Sequence, residues 1–211
     1  MNGGINNNIN IPNREEFLKG CEEYEKYEKR DAMYKVATFL ISHFWGKHSD
    51  MADGLGVLLL TWNQAFYRYG IFNFDKLEKC ITDNFQKIEN FRNRDISTLS
   101  NSDGDGIKDL FNTLLEALRI DSGKKQKIKS PVAVAKALHL LAPCFFPIWD
   151  HRIARAYGCY YNEDPAEKYV LFCKIIKSVA DNIRNYVDRT DKTIIKLIDE
   201  YNYSKYTKKW I

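Results

Sequence analysis

Residues Val132 to Leu141 carry apolar side chains on nearly every helical face, broken only by Lys136 and His139. A helix that is apolar all round has no side to give to water and must be enclosed by other elements. Its alanines, at 133, 135 and 137, allow those neighbours to come close. Ser130-Pro131 sets its start, a capping hydroxyl followed by proline at the first helical position. The fold is therefore expected to be layers of helix around this segment.

The rest of the chain agrees. Ile107, Leu110, Phe111, Leu114, Leu115 and Leu118 recur at helical spacing and predict an amphipathic helix over 106–120. A second long helix is expected to open at Asp164-Pro165, with Phe172, Ile176, Val179, Ile183 and Tyr186 as its apolar stripe. Further helices are expected near 14–29, 32–45, 51–69, 74–88 and 190–203. No segment shows convincing strand alternation, so the expected class is all-α, a single globular multi-helix domain over 14–211. Residues 1–13, with six Asn, read as a disordered tail. A chain of 211 residues can bury about 70% of its unfolded surface, so no disulfide or metal staple is required.

Several classes are disfavoured. No apolar run approaches the ~18 residues of a membrane span, and the first residues lack the basic start and apolar stretch of a secretory signal. A cytoplasmic monomer without a membrane role is expected. Five cysteines are scattered with no C-x-x-C pair and read as buried free thiols. The four histidines form no i, i+4 pair, so no metal and no cofactor is expected. Asn101 to Gly106 resembles the start of a calcium loop, but the twelfth position holds Asn112 where a bidentate Glu is needed. It is read as a turn that starts the following helix.

The one constellation with both unusual composition and a chemical group follows the apolar helix. Two prolines, Pro143 and Pro147, stiffen the chain between Ala142 and Trp149. Asp150 ends that stretch and opens a short helix, His151 to Tyr157, stopped by Gly158. A carboxylate fixed at a helix start by a stiff loop is either a cap, worth ~1 kcal/mol, or a group held ready to orient water or stabilise a cation.

From Lys129 to Gly158 the sequence resembles the second half of the helix-hairpin-helix DNA glycosylase core, where a hairpin leads into a buried helix, a loop and an essential Asp. Trp149-Asp150-His151-Arg152-Ile153-Ala154-Arg155 occupies the place of that Asp and its helix. Leu58 to Ala65 resembles the family's early helix, which ends in a polar stretch with Gln supporting the base site. The resemblance spans roughly 50–160 and departs in two places. The hairpin's Gly-x-Gly is replaced by Lys129-Ser130-Pro131, and Val132 or Ala133 stands where bifunctional members carry a Schiff-base lysine.

What the resemblance implies is a DNA N-glycosylase that flips a damaged or modified base out of double-stranded DNA and excises it. Asp150 would stabilise the oxocarbenium-like sugar while water attacks. Trp62, Asn63, Gln64, Phe66, Tyr67 and Trp149 would form the base pocket. Lys124, Lys125, Lys127, Lys129, Ser130, Lys136, Arg152 and Arg155 would hold the DNA backbone. Lys129 lies in a solvated loop and Lys136 is expected to pack or to snorkel outward, so a monofunctional enzyme with no lyase step is expected. Repair and defence against modified foreign DNA both fit such an activity. A non-catalytic nucleic-acid-binding module of the same fold, and a helical protein-interaction domain, are the alternatives.

Overall fold

The computed structural model describes residues 11–187 and 191–211. It is mostly helical, as the periodicity requires. Of the expected tail, residues 1–10 lie outside the described residues; Pro12 is buried, and Asn13 caps α1 (Arg14–Tyr27) by accepting from the Glu16 N–H at 2.9 Å. The chain continues through α2 (Ala32–His43), α3 (His48–Trp62), α4 (Gln64–Tyr67), α5 (Phe74–Arg92), α6 (Gly104–Ala117), α7 (Pro131–Leu141), α8 (His151–Ala156), α9 (Pro165–Ile183) and α10 (Ile194–Asn202). A π-type turn, Tyr203–Lys208, extends α10.

The apolar segment is α7, and it sits where its composition demands. It packs against α2, α3 and α6, and Val134, Ala135, Ala137, Leu138 and Leu141 are completely shielded from solvent. Burying a Val or Leu side chain contributes about 1.5–3 kcal/mol, so this helix anchors the core. Ser130 caps it, its hydroxyl accepting from the Ala133 N–H at 3.2 Å. The stripe of α6 is buried at every expected position from Ile107 to Leu118, against α5, α7 and α9.

Three local expectations are corrected. The helix expected over 51–69 begins earlier, at His48, and ends at Trp62, where Asn63 leaves helical geometry and α4 starts a new direction. Asp164 stands at the start of α9, yet its backbone is left-handed (φ 46°) and its side chain makes no capping bond. The chain also contains a short antiparallel ladder, β1 (Gly70–Ile71) with β2 (Ser122–Gly123). Gly70 lies opposite Gly123, whose φ of +116° only glycine adopts readily. Two-residue strands are too short to show an alternating pattern.

The C-terminal helix closes the fold against its start. α10 packs on α1 and α9, and the π-type turn packs on α1 and α8. Gly20 permits the close crossing of α1 and α10: a β-carbon there would stand 2.7 Å from the Tyr201 ring. Cys21, Cys80, Cys159 and Cys173 are buried thiols outside any disulfide, as expected, whereas Cys144 is only half-buried.

Candidate functional site

Asp150 caps α8 from the extended end of the proline-stiffened stretch, and both of its oxygens are engaged. Oδ1 accepts from the backbone N–H groups of Arg152 (2.7 Å) and Ile153 (2.8 Å). Oδ2 accepts from the Thr207 hydroxyl at 2.6 Å. Arg152 in turn donates to the Thr207 carbonyl, so the π-type turn and α8 are clamped together. The Trp149 indole N–H reaches the Pro131 carbonyl at 3.2 Å and fixes the stretch against the start of α7. Asp150 is thus both a cap and a carboxylate of defined orientation.

It lines a cavity of about 210 Å³ that also takes in Trp62, Lys136, Tyr24, Tyr34, Asp31, Asp199 and Tyr203. Lys136 takes the packed one of its two expected positions, and its ammonium is engaged within the protein rather than presented to a phosphate. Its ammonium donates to the Trp62 carbonyl at 2.9 Å and to Asn63 Oδ1 at 3.4 Å, and lies 4.8 Å from the Trp62 ring centre. Burial lowers its pKa to about 8, against the pull of Asp199 and Asp150, which favour the charged form. A second carboxylate, Asp199, enters from α10, and burial raises it to about 6.

Behind the cavity lies an ionic cluster. Lys196, almost fully buried, pairs with Asp31 at 2.9 Å and lies 3.6 Å from Glu200 and 3.8 Å from Asp199. Its ammonium sits between the Tyr24 and Tyr34 rings, 4.5 and 4.3 Å from their centres. Glu200 takes Lys192 as a closer partner, at 2.8 Å. Tyr34 is held from α7: His139 Nδ1 meets the Phe146 carbonyl at 2.8 Å and Nε2 meets the Tyr34 hydroxyl at 3.0 Å. Burial lowers the His139 pKa to about 4, so the ring is neutral near pH 7.

Of the residues expected in a base pocket, the fold brings Trp62 and Trp149 to the cavity with Asp150. Trp149 is wholly enclosed, packed among Tyr161, Tyr169 and Phe172, and forms wall rather than stacking surface. The others lie elsewhere. Tyr67 is core, its hydroxyl donating to the Leu118 carbonyl at 3.0 Å. Phe66 packs beside it, Gln64 is exposed, and Asn63 braces the edge through the Ser130 hydroxyl (3.2 Å) and Lys136.

Lys124, Lys125, Lys127 and Lys129 are exposed on the loop between β2 and α7. Lys125 lies over the exposed Tyr69 ring, and Lys129 pairs with Glu116. The Asn63–Ser130 bond ties the end of this loop to the residue next to Trp62, so basic loop and cavity share an edge. Ser130 itself is a buried cap, not a free phosphate ligand. Arg152 and Arg155 are exposed on α8, Arg152 bound to Thr207 and Arg155 over the Tyr160 ring at 4.3 Å. The calcium-like turn is occupied by a bidentate Arg94–Asp103 pair at 2.7 and 2.9 Å. Among the described residues no group of three His, Cys, Asp or Glu is placed to hold a metal, and no helix is long and apolar enough to cross a membrane.

The residues that sequence reasoning missed, Tyr24, Asp31, Tyr34, Asp199, Tyr203 and Thr207, come from α1, α2 and the C-terminal end. One signal was present: Lys196, Asp199 and Glu200 share a face of an otherwise apolar α10, an i, i+3, i+4 pattern that buries charge. Comparison with protein-family models, curated proteins and solved structures finds no match to this chain.

Proposed function

We propose that this protein is a DNA N-glycosylase that receives a flipped-out base in the cavity between Trp62 and Asp150. The observation that carries the reading is Asp150: a carboxylate with both oxygens fixed by three donors, opening on an aromatic-lined cavity beside a basic loop. Breaking the bond between sugar and base leaves positive charge on the sugar, which a preoriented carboxylate stabilises while water attacks the anomeric carbon. The order of buried helix, proline-stiffened stretch, capping Asp and short helix is the one that the resemblance implies. Lys124, Lys125, Lys127 and Lys129 supply backbone attraction in place of a glycine hairpin.

Water remains the nucleophile in this reading, because a Lys136 amine with pKa about 8 is mostly charged at pH 7. A lysine-linked variant has one observation in its favour: Lys136 shares the cavity with Asp150, and a neutral amine there would be a nucleophile. The test is incubation with duplexes carrying a panel of damaged or modified bases, followed by alkali cleavage and mass analysis of released bases. Base release, lost in Asp150→Asn while the fold persists, supports the reading. A folded Asn variant with full activity leaves Asp150 a cap and refutes it. Borohydride added during turnover is expected to trap no adduct at pH 7, and an adduct lost in Lys136→Ala would replace water by the lysine.

A further inference from the structure

Resting on that reading, we propose that Asp199 is the general acid of the site, handing a proton to the departing base, and that the enzyme therefore acts on bases that are uncharged in DNA. The two carboxylates on the cavity are placed in opposite circumstances. Asp150 accepts three hydrogen bonds from N–H and O–H donors. Asp199 receives none: among the described residues no donor comes within hydrogen-bond distance of its carboxyl, and its nearest ammonium, Lys196, stands 3.8 Å away. That ammonium is committed to Asp31 at 2.9 Å and shared with Glu200. Asp199 is left without a cation of its own, with 12% of its side chain exposed on the cavity.

A carboxyl in such surroundings holds its proton to higher pH than a free aspartate does. Beyond burial, the Lys196 ammonium is the strongest single influence and favours the charge, whereas Glu200 on its own helix, Asp31 at the start of α2 and Asp150 at the start of α8 each disfavour it. Burial is the largest influence, and the transition falls at about pH 6. Two carboxylates whose environments set them apart mark a division of labour between acid and stabiliser.

The step balances. The bond from C1′ to the base nitrogen breaks and its electron pair goes to the base. The Asp199 proton passes to a nitrogen or oxygen of that base. Water adds its oxygen to C1′ and yields a proton to Asp150; Asp150 then releases that proton to solvent, and solvent reprotonates Asp199, so both carboxyls are reset. An uncharged base needs that proton to leave. A cationic base, such as 7-methylguanine, leaves as a neutral molecule without it.

Single-turnover rates across pH 5–8.5 test this, using duplexes carrying hypoxanthine, uracil or 8-oxoguanine as uncharged bases and 7-methylguanine as the cationic one. On an uncharged base the wild-type rate is expected to fall as pH rises through the Asp199 transition. Asp199→Asn is expected to slow that release by about 100-fold or more and to abolish the pH limb, with a loss on 7-methylguanine at least ~10-fold smaller. Equal losses on both kinds of base, an unchanged rate on the uncharged one, or release of 7-methylguanine alone by the wild type would overturn the assignment while leaving base excision standing. If the wild type releases none of the four, base excision of these substrates fails and the acid role goes with it. Should the Asn variant not fold, the wild-type profile decides, and a flat one rejects Asp199.

Discussion

Replacing Asp199 by Asn is expected to make the protein more stable near neutral pH. An acid raised from its ordinary 3.8 to about 6 binds its proton more tightly folded than unfolded. Below pH 3.8 both states are protonated and the group is neutral in the balance. Between pH 3.8 and 6 the unfolded chain ionises first, so stability falls as pH rises, and above 6 the deficit is constant. Two pKa units correspond to about 3 kcal/mol. The Asn amide, buried without a partner, gives back ~1–2 kcal/mol of that gain, leaving about 1–2 kcal/mol in favour of the variant. Lys196 keeps Asp31 and Glu200 in either case. Urea denaturation of both proteins from pH 4 to 8 measures the difference, which should open between pH 4 and 6 and then level off. A variant less stable than wild type at pH 7 would show that the Lys196 contact outweighs burial, and the reasoning about an uncompensated carboxyl would be wrong.

Thr207→Val removes the hydroxyl from Asp150 Oδ2 without changing the shape of the turn. One lost hydrogen bond to a charged group is worth about 1.5–3 kcal/mol, so single-turnover base release should fall by roughly 10-fold or more while the Tyr203–Lys208 turn persists by circular dichroism; an unchanged rate would free Asp150 from this restraint. Charge reversal at Lys124, Lys125, Lys127 and Lys129 should weaken DNA binding at every sequence and flatten its salt dependence, each lost phosphate contact lowering the log–log slope by ~0.9. An unaltered slope in a binding titration would reduce the run to a solvated loop.

The core was legible because its signal is local. The spacing of Ile107 to Leu118 and the nearly all-apolar surface of Val132 to Leu141 each state where a helix is and what it faces, while Ser130 and Pro131 mark the start of α7 and Asp150 that of α8. The cavity was only half legible. Trp62 and Asp150 lie in the stretch whose pattern is informative, but the facing wall arrives from α1, α2 and α10, and nothing in the spacing of Tyr34 or Thr207 announces a partner more than a hundred, or some fifty, residues away. Of the two positions open to Lys136, packed or outward, the enclosure of its helix selects the packed one, and its ammonium turns to the backbone carbonyl of Trp62 rather than to a phosphate. Phe66 and Tyr67 were expected beside Trp62 because the helix was expected to run on; the break at Asn63 carries Tyr67 into the core instead and leaves Phe66 half-buried against it.

The neutral His139 has a directional effect on what the cavity can welcome. A carbonyl can only accept, so the Phe146 contact assigns the single ring proton to Nδ1. Nε2 is then a lone pair, and the Tyr34 hydroxyl must spend its hydrogen on it. The phenol oxygen is left with electron pairs alone to offer an occupant. A guest presenting an N–H to Tyr34 is greeted; one presenting a carbonyl or an unprotonated ring nitrogen meets a like-signed edge. A backbone carbonyl at Phe146, well behind the wall, thereby sets the polarity of one side of the chamber.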